Sequence, residues 1–486
     1  MTTQNTSNSF YWFDYETFGT HPAWDRPCQF AGVRTDMQLN EIEEPSVFFC
    51  RQSMDYLPNP IACKVTGLSP QRVNAKGVSE SEFIAQILEH IGKPGTCSVG
   101  YNNIRFDDEV TRHTLFRNYF DAYEHEYKNG NSRWDLLDVV RLTRALRPDG
   151  INWPSNDDGS PSNRLEDLST LNNIEHGHAH DALSDVRATI GMARLIRHTQ
   201  PKLFDFAFAN RSKQAVSERL NVRKPQKCLL VAGTIPGARS HLTVILPLAI
   251  HPEQRNNVIV LDLQQDPSAL LDMTADDIAS RLFNKQGLPR PGLMSVKINK
   301  CPVVMPFNVL RETDAARLEI DLGQVNQHAE IAKALLTSEM KNKLVQAMTT
   351  TWPNEPQEIE GTLYSGSFLS FEDKKRAMEL RTTKSPESIL NLASQFDDSR
   401  LKELAFRYQA RNFPESLTLE QKLGWREFCH DRLDNDAAPW LTVSQFDQIM
   451  KEADWPPQHK QLQEDLLAYR EVVCEHMKVT EPELET

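Results

Sequence analysis

Ser9-Phe10-Tyr11-Trp12-Phe13-Asp14-Tyr15-Glu16-Thr17-Phe18-Gly19 sets the reading of the chain around it. Its first half is a short apolar and aromatic run, the composition of a buried strand. On a strand, residues i and i+2 point to the same side, so Asp14 and Glu16 present two carboxylates on one face. Like charges that close repel unless a cation sits between them, and hard oxygen ligands of this kind suit Mg²⁺ or Mn²⁺. An isolated Asp-x-Glu is equally two exposed acids at a strand end. The flanking sequence has to decide.

Working outward, Gln29-Phe30-Ala31-Gly32-Val33 and Ser46-Val47-Phe48-Phe49-Cys50 read as partner strands. Phe83, Ile84, Ile87, Leu88 and Ile91 give residues 79–91 a helical spacing, and Thr96-Cys97-Ser98-Val99-Gly100-Tyr101 reads as another strand. Helical patterns follow at 107–120, 135–146 and 181–198. This is the α/β pattern of a sheet covered by helices. Residues 147–163, rich in Pro, Gly, Asn and Asp, form a loop too long to be idle. From about 202 to 350 the pattern changes to short β runs punctuated by Gly, Pro and Asn, which predicts a small β-barrel-like domain. Thr351-Trp352-Pro353-Asn354-Glu355-Pro356 reads as a linker, and helical spacing dominates beyond it. The expected domains are therefore 1–201, 202–352 and 357–486.

A length of 486 residues fits two to four domains. With 39% hydrophobic and 25% charged residues the composition is globular rather than disordered. No apolar run reaches membrane-spanning length, and the polar start MTTQNTSNS lacks the order of a secretory signal. The expectation is a soluble, cytoplasmic protein. Eight scattered cysteines without a Cys-x-x-Cys pair argue for reduced thiols, not a disulfide scaffold or zinc site. His176 and His180 have a His-x₃-His spacing, but no further ligand stands nearby in sequence. The net charge of −13 is unevenly spread: −8 over residues 1–200, +5 over 201–350 and −10 over 351–486. A basic middle between acidic flanks, with Arg211, Lys213, Arg219, Arg223, Lys224 and Lys227 close together, is a local electrostatic footprint that suits a polyanionic ligand and, on charge alone, suits a solvated surface equally well.

Two further stretches bear on the carboxylates. Gly100-Tyr101-Asn102-Asn103-Ile104-Arg105-Phe106-Asp107-Asp108-Glu109 follows a strand and opens a helix, which places Asp107 at the junction. His178-Ala179-His180-Asp181-Ala182-Leu183-Ser184-Asp185 precedes an amphipathic helix, with His180 at its start and Asp185 just over one turn in. Asp108 and Asp181, beside these positions, are the easiest residues to confuse with them.

An Asp-x-Glu on the first strand, a later Asp after a strand and a His-x₄-Asp on a helix resemble the DEDD-type 3′→5′ exonucleases with a histidine base. The words around them are more specific. Asp14-Tyr15-Glu16-Thr17-Phe18-Gly19-Thr20-His21-Pro22, residues 100–110, Arg133-Trp134-Asp135-Leu136-Leu137-Asp138-Val139, Asn299-Lys300-Cys301-Pro302-Val303 and Ala410-Arg411-Asn412-Phe413-Pro414 are similar to the bacterial exodeoxyribonuclease I family. The resemblance covers essentially the whole chain. It implies a ribonuclease H-like nuclease domain, an SH3-like β-barrel domain and a C-terminal α-helical domain. It also implies hydrolysis of single-stranded DNA to mononucleotides in DNA repair and recombination.

Phosphodiester hydrolysis needs a water deprotonated near neutral pH and stabilisation of charge on the phosphoryl and leaving oxygens, which two divalent ions about 3.5–4 Å apart provide. Two Mg²⁺ ions are expected, with Mn²⁺ as a substitute. Asp14 is expected to bridge them, Glu16 and Asp185 to share direct ligation, and Asp107 to act through water. His180, with an ordinary pKa of about 6.5, suits the proton acceptor from the attacking water. Single strands are held by a basic track and stacking aromatics, which residues 112–144 supply. The resemblance places Arg112, Tyr123, Tyr127 and Arg141 along the DNA and Arg164 on a phosphate near the terminal nucleotide. It lines the terminal-nucleotide pocket with Thr17, Phe18 and Thr66, next to Glu16. It further implies a monomer, no membrane partner, and docking of the acidic C-terminal tail of single-stranded DNA-binding protein. Enclosure of the strand by the basic middle domain would make the reaction processive.

Overall fold

The computed structural model describes residues 8–177, 181–283, 291–349, 358–383 and 385–478. The chain divides into two compact units. One holds residues 1–132, 177–187 and 355–486, and the other holds 133–176 and 188–354.

The first unit is built on β1 (Ser9–Thr17), β2 (Pro27–Thr35), β3 (Ser46–Phe49) and β4 (Thr96–Gly100). They stand in the sheet order β3-β2-β1-β4, and β5 (Ser132–Asp135) carries the chain into the second unit. β1 pairs antiparallel with β2, from Phe10 opposite Thr35 to Glu16 opposite Gln29, and a bulge interrupts the register before Thr17. It pairs parallel with β4 only from Ser9 to Trp12. The last residues of β1 therefore run past the end of β4 and are open on that side. Gly100 is needed where the two part, because a Cβ there would lie 2.7 Å from Asn103 Cβ and 3.0 Å from the Phe13 carbonyl oxygen.

The alternation along β1 sorts its side chains. Tyr11, Phe13 and Tyr15 face one core with Phe30, Phe83 and Ile87. The opposite parity carries Asp14 and Glu16. Phe83, Ile84, Ile87 and Ile91 are the buried side of the helix Glu80–Ile91, whose N-terminus is capped by Ser79 accepting from the Glu82 N–H. In chain order the helices of this region are α1 (Pro60–Thr66), α2 (Pro70–Lys76), α3 (Glu80–Ile91) and α4 (Asp107–Arg117). The chain beyond residue 357 folds with this sheet rather than apart from it. Phe18, Cys28, Tyr56 and Cys63 share one core with Trp425, Phe446 and Tyr469. Phe116 and Tyr119 share another with Ile359, Leu401 and Tyr408.

In the second unit α5 (Leu136–Leu146) and α6 (Leu165–Leu171) flank residues 147–163, which form neither helix nor extended strand, only an isolated bridge from Ser155 to Pro161. Trp134 is a core residue, edge-on to Phe204 and Phe208 with centroids 5.1 Å away in both cases. α7 (Ala182–Thr199) starts in the first unit and continues into the second. The basic middle contains β6 (Cys228–Val231), β7 (Leu242–Ile250), β8 (Asn257–Asp262), β9 (Leu293–Lys297) and β10 (Val303–Pro306). They form an antiparallel sheet of order β10-β6-β7-β8-β9, in which the last strand returns beside the first. No disulfide links the eight cysteines, six of which are buried.

Candidate active site

β1 delivers Asp14 and Glu16 to its open end, and the first turn of α7 adds Asp185. One carboxylate oxygen from each of the three lies within 4.8 Å of the others, all inside the first unit. The helix that brings Asp185 starts at Ala182, so Asp185 sits within its first turn, earlier than the sequence spacing implied. Asp181 is spent on that start: its Oδ1 accepts the Ser184 N–H at 3.2 Å. His180 lies outside the described residues.

Crowding acids into a buried pocket opposes their ionisation. Burial pushes Asp14 well above the usual carboxylate range, and the charges of Asp107, Glu16 and Asp185 push the same way. Glu16 is pushed up to about 9 by burial first, then by Asp185, Asp107 and Asp181. A site that holds three acids at this cost is incomplete without positive charge.

Asp107 stands at the first position of α4 and accepts the Tyr15 N–H at 3.2 Å through Oδ1, which ties the helix start to β1. It is outside the tight trio but close enough for its charge to bear on Asp14 and Glu16. Its neighbour Asp108 is held by the Asn103 side chain at 3.2 Å and by its own N–H to the Asn103 carbonyl at 2.9 Å. The helix N-terminus favours both acids through its dipole.

The residues expected to meet a nucleic acid fall into three groups. Tyr127 is 64% exposed, and Tyr123 is half-buried, edge-on to Phe368 at 5.7 Å. Thr17 and Thr66 lie at the ends of β1 and α1; the Thr17 hydroxyl donates to the Gly19 carbonyl at 2.6 Å. In the second unit, Arg164 is exposed and paired with Asp167 at 2.9 Å, while Arg141 pairs with Asp138 at 2.6 Å. Arg112 and Phe18 are buried members of the set. Arg112 is buried and shared between Glu126 and Glu109, at 2.6 and 2.9 Å, so it has no open face; its guanidinium lies 5.4 Å from the Tyr123 ring centroid. Phe18 is fully buried among Cys28, Tyr56 and Cys63.

Sequence reasoning also missed the groups that hold the end of β1. The Phe18 N–H donates to the Arg26 carbonyl at 3.0 Å, and the Tyr56 hydroxyl lies 2.9 Å from the Phe18 carbonyl and 3.1 Å from Asp25 Oδ1. None of these carries a local motif.

Models of three protein families match along the chain: one described as Exonuclease over residues 11–193, one as Exonuclease I SH3-like domain over 211–350, and one as Exonuclease I C-terminal domain over 357–472. Exodeoxyribonuclease I of Haemophilus influenzae is 43% identical over 441 residues, 88% of this chain and 91% of that protein. The chain belongs to the exodeoxyribonuclease I family. Among solved structures, Escherichia coli exonuclease I in complex with a dA16 oligonucleotide is 39% identical, with 97% of this chain and 99% of that one covered and a TM-score of 0.88. An ExoI/SSB-Ct complex is 38% identical, with 97% and 99% covered and a TM-score of 0.86.

Exonucleases of the exodeoxyribonuclease I family depend on divalent metal, and the chain's own donor set fits one. Three converging carboxylates, with no thiol in the group and ionisation opposed by burial, are the ligand chemistry of a hard divalent cation. No helix among the described residues is long and apolar enough to cross a membrane.

Proposed function

We propose that this chain is a processive 3′→5′ exonuclease that hydrolyses single-stranded DNA to 5′-mononucleotides, acting in the cytoplasm in DNA repair and recombination. The observation that carries the reading is the trio Asp14, Glu16 and Asp185 at the open end of β1, in a chain of the exodeoxyribonuclease I family. The metal would be Mg²⁺, two ions, with Mn²⁺ as a substitute; when bound it supplies charge neutralisation on the phosphoryl group and a more acidic attacking water. Asp14, Glu16 and Asp185 would hold it directly. Asp107, fixed to β1 through the Tyr15 N–H, would complete the anionic ring at one remove. His180 would take the proton of the attacking water. Thr17 and Thr66 would line the pocket of the terminal nucleotide, with Phe18 packed behind the chain that forms it.

Tyr123 and Tyr127 would stack on bases, and Arg141 and Arg164 would pair with phosphates. Arg112, already neutralised by Glu109 and Glu126, would act on the strand through the Tyr123 ring it stabilises. The acidic C-terminal tail of single-stranded DNA-binding protein would be a protein partner, in keeping with the ExoI/SSB-Ct complex of a relative. The protein would work as a monomer built as a nuclease domain to residue 201, a basic domain to 352 and a helical domain from 357.

The test uses 5′-labelled single-stranded DNA with Mg²⁺ or EDTA, beside an Asp14→Ala control. Shortening from the 3′ end that needs metal and is lost in the control is the expected result. A matched RNA oligonucleotide should be cut far more slowly. Binding without shortening would overturn the reading and leave a single-strand-binding module.

A further inference from the structure

The last strand residues of β1 carry Glu16 and Thr17, and what holds them lies far away in sequence. The Phe18 N–H is bonded to the carbonyl of Arg26, and Thr17 is paired with Pro27, so the start of β2 is the template for the end of β1. Arg26 is buried, with its guanidinium 2.7 Å from Glu360 and 3.9 and 3.8 Å from Asp55 and Glu80. Glu360 is itself almost wholly inaccessible and also receives Arg411 at 2.5 Å, while Arg411 closes on Asp55 at 2.6 Å. These charges cannot rearrange freely, because each buried carboxylate or guanidinium that moved would be left unpaired in a low-dielectric interior. The neighbouring backbone is locked from the same direction: His113 Nδ1 lies 3.3 Å from the Glu360 carbonyl, and Gly361 leaves room for the Trp24 ring, which a Cβ would meet at 2.3 Å.

We propose that Glu360, with Arg411 sharing its carboxylate, is a positioning residue: acting through Arg26, it fixes residues 16–18 and so sets both the placement of the Glu16 carboxylate and the wall of the pocket for the 3′-terminal nucleotide. Glu360 and Arg411, from the chain beyond residue 357, thereby bear on the reaction through Arg26. This rests on the reading of Thr17 and Thr66 as the terminal-nucleotide pocket. Misplacement of a reacting group by about 1 Å from a remote substitution costs on the order of a hundredfold in rate, so the relay has room for a large effect.

The test compares full-length wild type with Glu360→Gln and Arg26→Lys. Two quantities are read: kcat/KM for an ordinary 3′ end against one ending in an abasic nucleotide, and the Mg²⁺ concentration giving half-maximal rate. Loss of folded protein scales every rate alike and moves neither. A positioning role is expected to collapse the preference for the ordinary end by about tenfold and to raise the Mg²⁺ requirement several-fold, within the range such displacements produce. Arg26→Lys keeps the buried charge and serves if Glu360→Gln does not fold. A folded variant with the wild-type preference and Mg²⁺ requirement overturns the proposal. Wild type that does not cut single-stranded DNA, or cuts both ends equally well, would instead sink the nuclease or the pocket reading on which it stands.

Discussion

Replacing Glu16 by Gln should stabilise the metal-free protein while removing its activity. Glu16 is buried and its carboxyl is pushed up to about 9, whereas in the unfolded chain it titrates near its ordinary 4.5. A folded-state value above the unfolded one means that the folded protein binds the extra proton, so stability is intact below about pH 4.5 and is lost progressively as the pH rises towards 9. At about pH 7.5 the gap is three pH units, or about 4 kcal/mol at 1.36 kcal/mol per unit. Part of that burden is shared with Asp14 and Asp185, which leaves about 2–4 kcal/mol to be recovered by a neutral amide of the same shape. In a unit of this size each kcal/mol moves the melting temperature by about 2 °C, so Glu16→Gln should melt about 4–8 °C above wild type in EDTA at about pH 7.5. At about pH 4.5 the two should melt together. Saturating Mg²⁺ should reverse the order by stabilising wild type more than the variant, since it binds a ligand set the variant lacks. A variant that melts no higher than wild type in EDTA across this range would refute the account of the site as carboxylates held together against their repulsion.

Asp14→Asn should lower kcat by about a thousandfold or more with little change in DNA affinity, since several kcal/mol of metal-assisted stabilisation go with it; rapid-quench and binding titrations separate the two. Acid should unfold the protein in two stages. His113 is buried and pushed down to about 4, so the unfolded chain protonates first and stability falls between about pH 6.5 and 4 by up to about 3 kcal/mol; His113→Gln should remove this slope from urea midpoints. Below that, Glu80, held down to about 2, and Glu360, held well below its usual range, lose their contribution as pH drops from about 4.5, burial opposing and Arg117 and Arg26 sustaining their ionisation. Gly100→Ala should cost about 1–3 kcal/mol by overpacking at the Phe13 carbonyl and Asn103, and should lower activity more than the melting shift accounts for, because that turn leads to Asp107.

What could be read from the sequence is what rests on local periodicity. β1 announces itself because its first half is a continuous apolar and aromatic run and its second half sets Asp14 and Glu16 two positions apart, on one face. α3 is framed by Ser79, and Asp107 and Asp185 follow from where a strand ends and a helix begins. What could not be read depends on partners remote in the chain. Arg26 and Glu360 are 334 positions apart, and neither stands in a pattern that points to the other. Arg112 in a list of basic residues gives no sign of the Glu126 and Glu109 carboxylates around it. Tyr364 likewise shows its place only in space, where its hydroxyl meets Glu109 and Arg112.

The first unit is assembled from both ends of the chain, with residues 133–176 and 188–354 folded elsewhere. During synthesis, at about 5–20 residues per second, roughly 10–45 seconds separate the appearance of residue 132 from that of residue 355. Throughout that interval Phe18, Cys28 and Tyr56 lack the Trp425 and Tyr469 side of their core, and Phe116 and Tyr119 lack Leu401 and Tyr408. A ribosome-bound nascent chain therefore carries every acid of the site well before it carries a finished interior to support them. Cleavage competence arrives late in translation, and a chain that stops short of its final helices ends as a substrate for chaperones and proteases rather than as a smaller nuclease.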